Sequence, residues 1–306
     1  MLEYLIRQFT IIVDGVNNMK KSRIILYFVL VICLALFNFY YRPIKGNSLV
    51  TDEYKESSAY VNSLYYSDEY FKKNVLDESK YYLYDKIIET SLKNELEVHI
   101  PCEGDSCAAD FYTATSVLHL DHPELISYRI IGTYYYKDGE ITYTNRENLS
   151  RIRTYFGTRR IEREMENIRK DTKGMNDQEK IIYVYDYVAS HDYDRLFTYA
   201  GSNQSAYSFF TGGESVCAGF AKASQIIFQN IGIKSYLVHG SDHMWNYVEY
   251  EGKYYIFDAT MGTAYFKDSK SFYDGLGTTT VGVVYGDHKE LYPPIEEQPL
   301  KELFGL

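Results

Sequence analysis

From Ile24 to Tyr41 the chain runs apolar for eighteen residues, with Asn38 as the one polar side chain apart from tyrosine and cysteine. A run of that length reaches the short end of what a helix needs to cross a bilayer. Arg7, Lys20, Lys21 and Arg23 precede it and outnumber Arg42 and Lys45 behind it. That bias puts residues 1–23 in the cytoplasm and the bulk of the chain outside. Asn38-Phe39-Tyr40-Tyr41-Arg42 forms an aromatic belt where a small-residue cleavage site would stand, so the run reads as an uncleaved, single-pass signal anchor rather than a cleaved signal peptide. Met19 heads a segment that would itself serve as a membrane-targeting start, and residues 1–18 then read as an upstream extension. Residues 42–65 are polar and poor in aliphatics, as a stalk would be.

Beyond the stalk the periodicity alternates between helix and strand. Tyr84, Ile87, Ile88 and Leu92 recur at helical spacing across Lys80–Asn94, and Leu96–Ile100 alternates like a strand. Ala108–Leu120 predicts a helix stopped before Pro123. Ile126–Tyr136 and Glu140–Thr144 flank Asp138-Gly139, a hairpin signal. Asn148–Lys173 is helical and highly charged. Residues 66–173 thus read as an α+β leading subdomain. Asn176 and Glu179 have capping-box spacing for a helix through Ser190, with Ile181, Ile182, Tyr185 and Val188 as its buried stripe. Thr278–Tyr285 is a β-branched run suited to one more strand, and residues 291–306 read as a surface tail.

Between these lies the stretch that carries chemistry. Gly212 to Ser215 is a turn signal, and Ser215 is placed to cap a helix that runs from Cys217 through Phe228 and ends near Asn230 and Gly232. A thiol in the first turn of a helix meets unpaired amides and the positive end of the dipole, which favour thiolate. Lys234–Val238, His243–Tyr250 and Lys253–Asp258 read as strands, the last two joined by the two-residue turn Glu251-Gly252. With Tyr250 opposite Lys253, Asp258 falls opposite Trp245 and on the same face as His243, one diagonal step away. Such neighbours have Cβ atoms roughly 7 Å apart, within reach of a carboxylate–imidazole hydrogen bond. A shift of one residue would put the two on opposite faces. Cys217, His243 and Asp258 therefore read as nucleophile, general base and orienting carboxylate. A backbone amide at the start of the Cys217 helix would supply one oxyanion donor, and Gln204 is the candidate for a second.

Composition narrows the classes. A formal charge of −10 and a pI near 5.3 exclude a nucleic-acid partner, which needs clustered Lys and Arg. The 34 tyrosines are spread along the chain and read as packing, with carbohydrate contact as the alternative. Of four cysteines, Cys33 lies in the apolar run. Cys102 and Cys107 either close a small loop as a disulfide, if the domain lies outside the cytoplasm, or remain two free thiols. One C-x4-C pair is poor evidence for zinc, and His239 and His243, separated by Gly240 on strands, do not make a metal pair, so no metal or cofactor is expected. His191 sits at a helix end and reads as a complement to the dipole.

Ala206-Tyr207, Gly213-Glu214-Ser215-Val216-Cys217-Ala218-Gly219-Phe220-Ala221-Lys222-Ala223, Ile231-Gly232-Ile233, His243-Met244-Trp245-Asn246-Tyr247-Val248 and Tyr254-Tyr255-Ile256-Phe257-Asp258-Ala259-Thr260 together resemble the transglutaminase-like superfamily, in the branch that includes kyphoscoliosis-peptidase relatives. The resemblance covers about a third of the chain and departs at Phe220 and Met244, neither of which touches the triad chemistry. It implies a papain-like or transglutaminase-like core over 174–290, with the cysteine-bearing helix packed on an antiparallel sheet. It also implies a thioester route to cleaving or transferring amide bonds of a protein or peptide substrate. Hydrolysis is favoured because the short core lacks the added domains and calcium sites of animal transglutaminases. The alternatives are a non-catalytic binding module that kept the fold, and an amidase of cell-wall peptides. Oligomeric state is not legible in the sequence.

Overall fold

The structure is a computed structural model that describes residues 68–93, 97–102, 104, 106–123, 132–145, 151–196, 203–212, 214–240, 242–263, 272–280, 282, 286 and 289–306. The expected cytoplasmic start, membrane anchor and stalk lie outside the described residues. Among the described residues, no helix is long and apolar enough to cross a membrane.

The leading part builds helices α1 (Tyr70–Val75) and α2 (Tyr81–Lys93), strand β1 (Glu97–Pro101), helix α3 (Cys107–Asp121) and the hairpin β2 (Gly132–Lys137) and β3 (Glu140–Asn145). The sheet is antiparallel in the order β1-β3-β2. Its hairpin turns at Asp138 and Gly139, both with positive φ (52° and 81°), the backbone that a tight primed turn demands. Phe71, Leu83, Tyr84, Ile87, Phe111 and Leu118 fill its core. Cys102 and Cys107 are joined by a disulfide across a Cα–Cα distance of 5.8 Å, closing the loop between β1 and α3. At the far end of α3 the buried Asp121 accepts from the backbone N–H groups of Phe71 (3.0 Å) and Lys72 (2.9 Å) and from the Tyr84 hydroxyl (3.1 Å), tying α1, α2 and α3 together.

Then come α4 (Arg151–Asp171), α5 (Asp177–Ala189), β4 (Asp192–Tyr193), α6 (Ala206–Gly212), β5 (Glu214–Ser215), α7 (Cys217–Ile231), and strands β6 (Ser235–His239), β7 (Met244–Tyr250) and β8 (Lys253–Phe257). α5 opens on the expected capping box: Asn176 Oδ1 accepts from Glu179 N at 2.9 Å and Glu179 returns the bond to Asn176 N at 2.8 Å. The α4 stripe of Ile161, Met165 and Ile168 lies in one cluster with Ile181 and Val184 of α5 and Phe220, Ile227 and Phe228 of α7. So α4, placed by a sequence boundary at 173 with the leading subdomain, packs into the later core. β6, β7 and β8 form an antiparallel sheet in chain order, and α7 lies against it, with Phe228 edge-on to Phe257 at 4.9 Å between centroids. Each such fully buried side chain contributes roughly 1.5–3 kcal/mol relative to exposure.

The last part of the chain departs from expectation twice. Residues 272–277 and 280 are turns and 278–279 are irregular, so the β-branched run does not enter the sheet as a strand through Thr280. The reason is its anchoring: Leu276 is fully buried and Tyr185 binds the Phe272 carbonyl at 2.7 Å, which folds the segment over the end of β8. Nor is 291–306 a surface tail. Ile295 bridges to Tyr254, and helix α8 (Leu300–Phe304) buries Leu300 completely and sets Phe304 edge-on to Tyr250.

Candidate active site

Cys217 is the first residue of α7, a half-buried free thiol. Ser215 does not cap this helix as the sequence suggested: the N-cap is Val216, with no side-chain cap. Ser215 Oγ turns inward instead, donating to the Asn203 carbonyl at 2.6 Å, while Val216 N–H reaches the same carbonyl at 3.2 Å. This brace fixes the entry to α7, and it demands Gly219, where an added Cβ would sit 1.9 Å from Ser215 Oγ. At its other end α7 stops at Gly232, with φ 80°.

The hairpin register places the other two groups. Tyr250 pairs with Lys253 and Asn246 with Phe257, as the two-residue turn Glu251-Gly252 dictates. His243 enters β7 and Asp258 leaves β8 on one face, and His243 Nε2 lies 2.7 Å from Asp258 Oδ2. Both residues are buried, at 6% and 2% exposure. With Nε2 committed to the carboxylate, Nδ1 is left for sulfur, and Cys217 stands beside the ring as a group that favours its charged form. Burial opposes the imidazolium, but the hydrogen bonds to Asp258 and Cys217 outweigh it and push His243 up to about 10. Trp245 lies nearly parallel to the imidazole, 17° between planes.

Asp258 is held on every side. Thr260 donates both its N–H (3.1 Å) and its hydroxyl to Oδ1, Thr280 N–H donates to Oδ2 at 3.1 Å, and Asp258 N–H donates to the Gly275 carbonyl at 2.8 Å. An added Cβ at Gly275 would stand 2.0 Å from the Asp258 carbonyl oxygen, so only glycine permits this approach.

Two residues that sequence reasoning missed touch the site. β4 pairs in parallel with β5, setting Tyr193 beside Ser215, two residues before the nucleophile. The Tyr193 phenol stands against the backbone and sulfur of Cys217; burial first, then the neighbouring sulfur, pushes the phenol well above its ordinary range. Nothing in the pattern marks this tyrosine out among 34. The other is Thr280, whose hydroxyl lies 3.0 Å from His243 Nε2 and 3.4 Å from Nδ1.

The structure also places the other residues singled out in the sequence. Gln204 is half-buried, and its backbone carbonyl accepts from Lys222 Nζ at 3.1 Å. His191 follows the end of α5; burial lowers its pKa, its Nδ1 meets the Tyr187 carbonyl at 3.0 Å, and its ring lies tilted against Phe209, 4.1 Å between centroids. His239 ends β6 opposite Met244. Among the described residues no group of three His, Cys, Asp or Glu is placed to hold a metal.

Residues 166–259 match the family model described as the transglutaminase-like superfamily. A crystal structure of a TGase is 17% identical and covers 45% of this chain and 47% of its own at a TM-score of 0.31, a likeness that carries no argument. This chain spans about half the length of that protein. No curated protein matches.

Proposed function

From the transglutaminase-like core over residues 166–259, we propose that this protein is a membrane-anchored thiol enzyme that cleaves amide bonds of a protein or peptide substrate through a thioester. The observation that carries the reading is the buried imidazole of His243, 2.7 Å from the Asp258 carboxylate and with the Cys217 sulfur beside it as a second group that favours its charged form. Cys217 passes its proton to His243 Nδ1 and sulfur attacks the carbonyl carbon, forming the C–S bond. The oxyanion takes the Cys217 N–H at the start of α7, and the neighbouring Tyr193 hydroxyl turns to donate as well, giving two donors where charge develops. Collapse breaks the C–N bond and His243 protonates the leaving amine. Water, with His243 as base, then adds to the thioester, and the C–S bond breaks to return the proton to sulfur. Asp258 keeps Nε2 as the donor side of the ring throughout.

The anchor at 24–41 would set this chemistry outside the cytoplasm, and the Cys102–Cys107 disulfide supports that placement, since such bonds persist in oxidising compartments. Water is the proposed acceptor; an amine would use the same thioester. The test incubates the full chain and its Cys217→Ala variant with a mixed peptide library and a primary alkylamine, read by mass spectrometry. Cleaved peptides that require Cys217 are expected. Cys217-dependent amine incorporation without cleavage would make the protein a transferase, and a folded wild type with no Cys217-dependent product would overturn the enzyme reading.

A further inference from the structure

The matched core ends at Ala259, yet the carboxylate–imidazole pair is enclosed by a segment that lies beyond it. Residues 272–280 form a strap fixed at several points. Tyr185 holds the Phe272 carbonyl at 2.7 Å, Gly275 accepts from Asp258 N at 2.8 Å, and Leu276 is buried in the core. The C-terminal helix α8 secures the strap from outside: Lys301 N–H donates to the Leu276 carbonyl at 3.1 Å, and Lys301 Nζ pairs with Asp274 at 2.6 Å. The strap delivers Thr280 to the pair, with its N–H on Asp258 Oδ2 at 3.1 Å.

The position of its hydroxyl is informative. Oγ1 lies at 3.0 Å from Nε2 and 3.4 Å from Nδ1. The two ring N–H directions diverge, so an in-line partner of one nitrogen would stand well out of reach of the other. Near-equal distances therefore place this oxygen out of line with either N–H, over the ring and across both nitrogens, where an electron-rich atom favours the ring's positive form and resists its rotation. Asp258 already occupies the in-line position on Nε2, and Cys217 takes the Nδ1 side.

We propose that Thr280 is a positioning residue: its hydroxyl steadies the His243 imidazolium in the orientation that links Cys217 to Asp258, and the strap with α8 exists to hold it there. This rests on the triad reading of Cys217, His243 and Asp258. The groups that face the ring are Asp258 after β8 and Cys217 on α7; Tyr193 on β4 reaches it through Cys217, and Tyr185 on α5 lies near Asp258.

The experiment uses the full chain labelled with 13Cε1-histidine, its His243 signal assigned with a His243→Ala variant, and follows the His243 titration by NMR alongside site-resolved alkylation of Cys217 by iodoacetamide. Thr280→Val is expected to lower the His243 midpoint by about 0.3–0.7 pH unit, the two- to fivefold factor that a weak, out-of-line polar contact carries. Alkylation at neutral pH should slow with it, while Thr280→Ser restores both. A role confined to packing would lower the melting temperature and leave the midpoint in place. An unshifted midpoint in a folded Thr280→Val protein overturns the proposal. If that variant does not fold, Thr280→Ser is compared with Thr280→Ala, and equal midpoints overturn it. Should wild-type Cys217 react no faster than in His243→Ala, the triad reading itself fails; a fast wild type with an unmoved Thr280→Val removes only the role of Thr280.

Discussion

Asparagine at 258 would keep the shape of the side chain while removing its charge and one set of lone pairs. Two pairs of donors converge on the carboxylate, Thr260 N–H and hydroxyl at Oδ1, and His243 Nε2 and Thr280 N–H at Oδ2. The new NH2 group has to face one pair. Facing Thr260, it orphans the Thr260 N–H, although the hydroxyl can rotate to accept. Facing the other pair, it orphans the Thr280 N–H and makes Nε2 an acceptor, so the ring proton moves to Nδ1, the side that must take the thiol's proton. Either arrangement leaves one buried N–H unpaired, worth about 1–3 kcal/mol, or about 2–10 °C of melting temperature. The larger effect is on the imidazolium. Burial alone disfavours it, and the hydrogen bonds to Asp258 and Cys217 are what carry His243 up to about 10. Without the carboxylate a main partner of the imidazolium is gone, and burial draws the ring's pKa down from about 10. A thiol with no imidazolium partner is only about a tenth ionised at pH 7.5. Asp258→Asn should therefore slow iodoacetamide alkylation of Cys217 at pH 7.5 by about tenfold, and turnover of a cleavable peptide by roughly 10²–10⁴-fold. The assay is peptide-resolved mass spectrometry of the alkylated full chain across pH 6–9, with melting curves as the control for folding. A folded Asp258→Asn protein that alkylates like wild type over that range would refute the role given to the carboxylate.

Three further outcomes are expected. Tyr193→Phe should lower turnover by about 10²-fold with little change in KM, as loss of one oxyanion donor does, whereas Gln204→Ala should leave turnover near wild type; steady-state kinetics on a cleaved peptide checks both. Burial raises the Asp121 carboxyl to about 6, against an unfolded value near 3.9. The folded form thus holds this proton more tightly, so stability should fall as pH rises from about 4 to about 6 and level off above, and urea denaturation across that range should show a slope that Asp121→Asn flattens. Opening the Cys102–Cys107 disulfide, with a sequence separation of 5, should cost about 2 kcal/mol of loop entropy, seen as a lower melting temperature in dithiothreitol, while Cys217 keeps its alkylation rate at temperatures below the transition.

What could be read from the residues was whatever obeys a local rule. The turn Glu251-Gly252 fixes pairing by its length, so the shared face of His243 and Asp258 came from counting, and the pairing of Tyr250 with Lys253 agrees. The capping box at Asn176 and the left-handed stop at Gly232 are local in the same way. Ser215 had the right residue type for a cap, but a nearby carbonyl, that of Asn203, captured its hydroxyl. Tyr193 and Thr280 reach the site only through tertiary pairing, the first through a parallel bridge to β5 and the second through a strap anchored by Tyr185 and Leu276. No periodicity encodes either. Helix α8 did leave a trace: Leu300, Leu303 and Phe304 stand at helical spacing, and the prolines before them obscured it.

The proposed mechanism stands on the activation of Cys217 by His243. Site-resolved alkylation of Cys217 by iodoacetamide at pH 7, in the full chain and in its folded His243→Ala variant, probes this without knowledge of the substrate. Wild type is expected to react at least about tenfold faster than the variant; equal rates would mean that the imidazole does not activate the thiol.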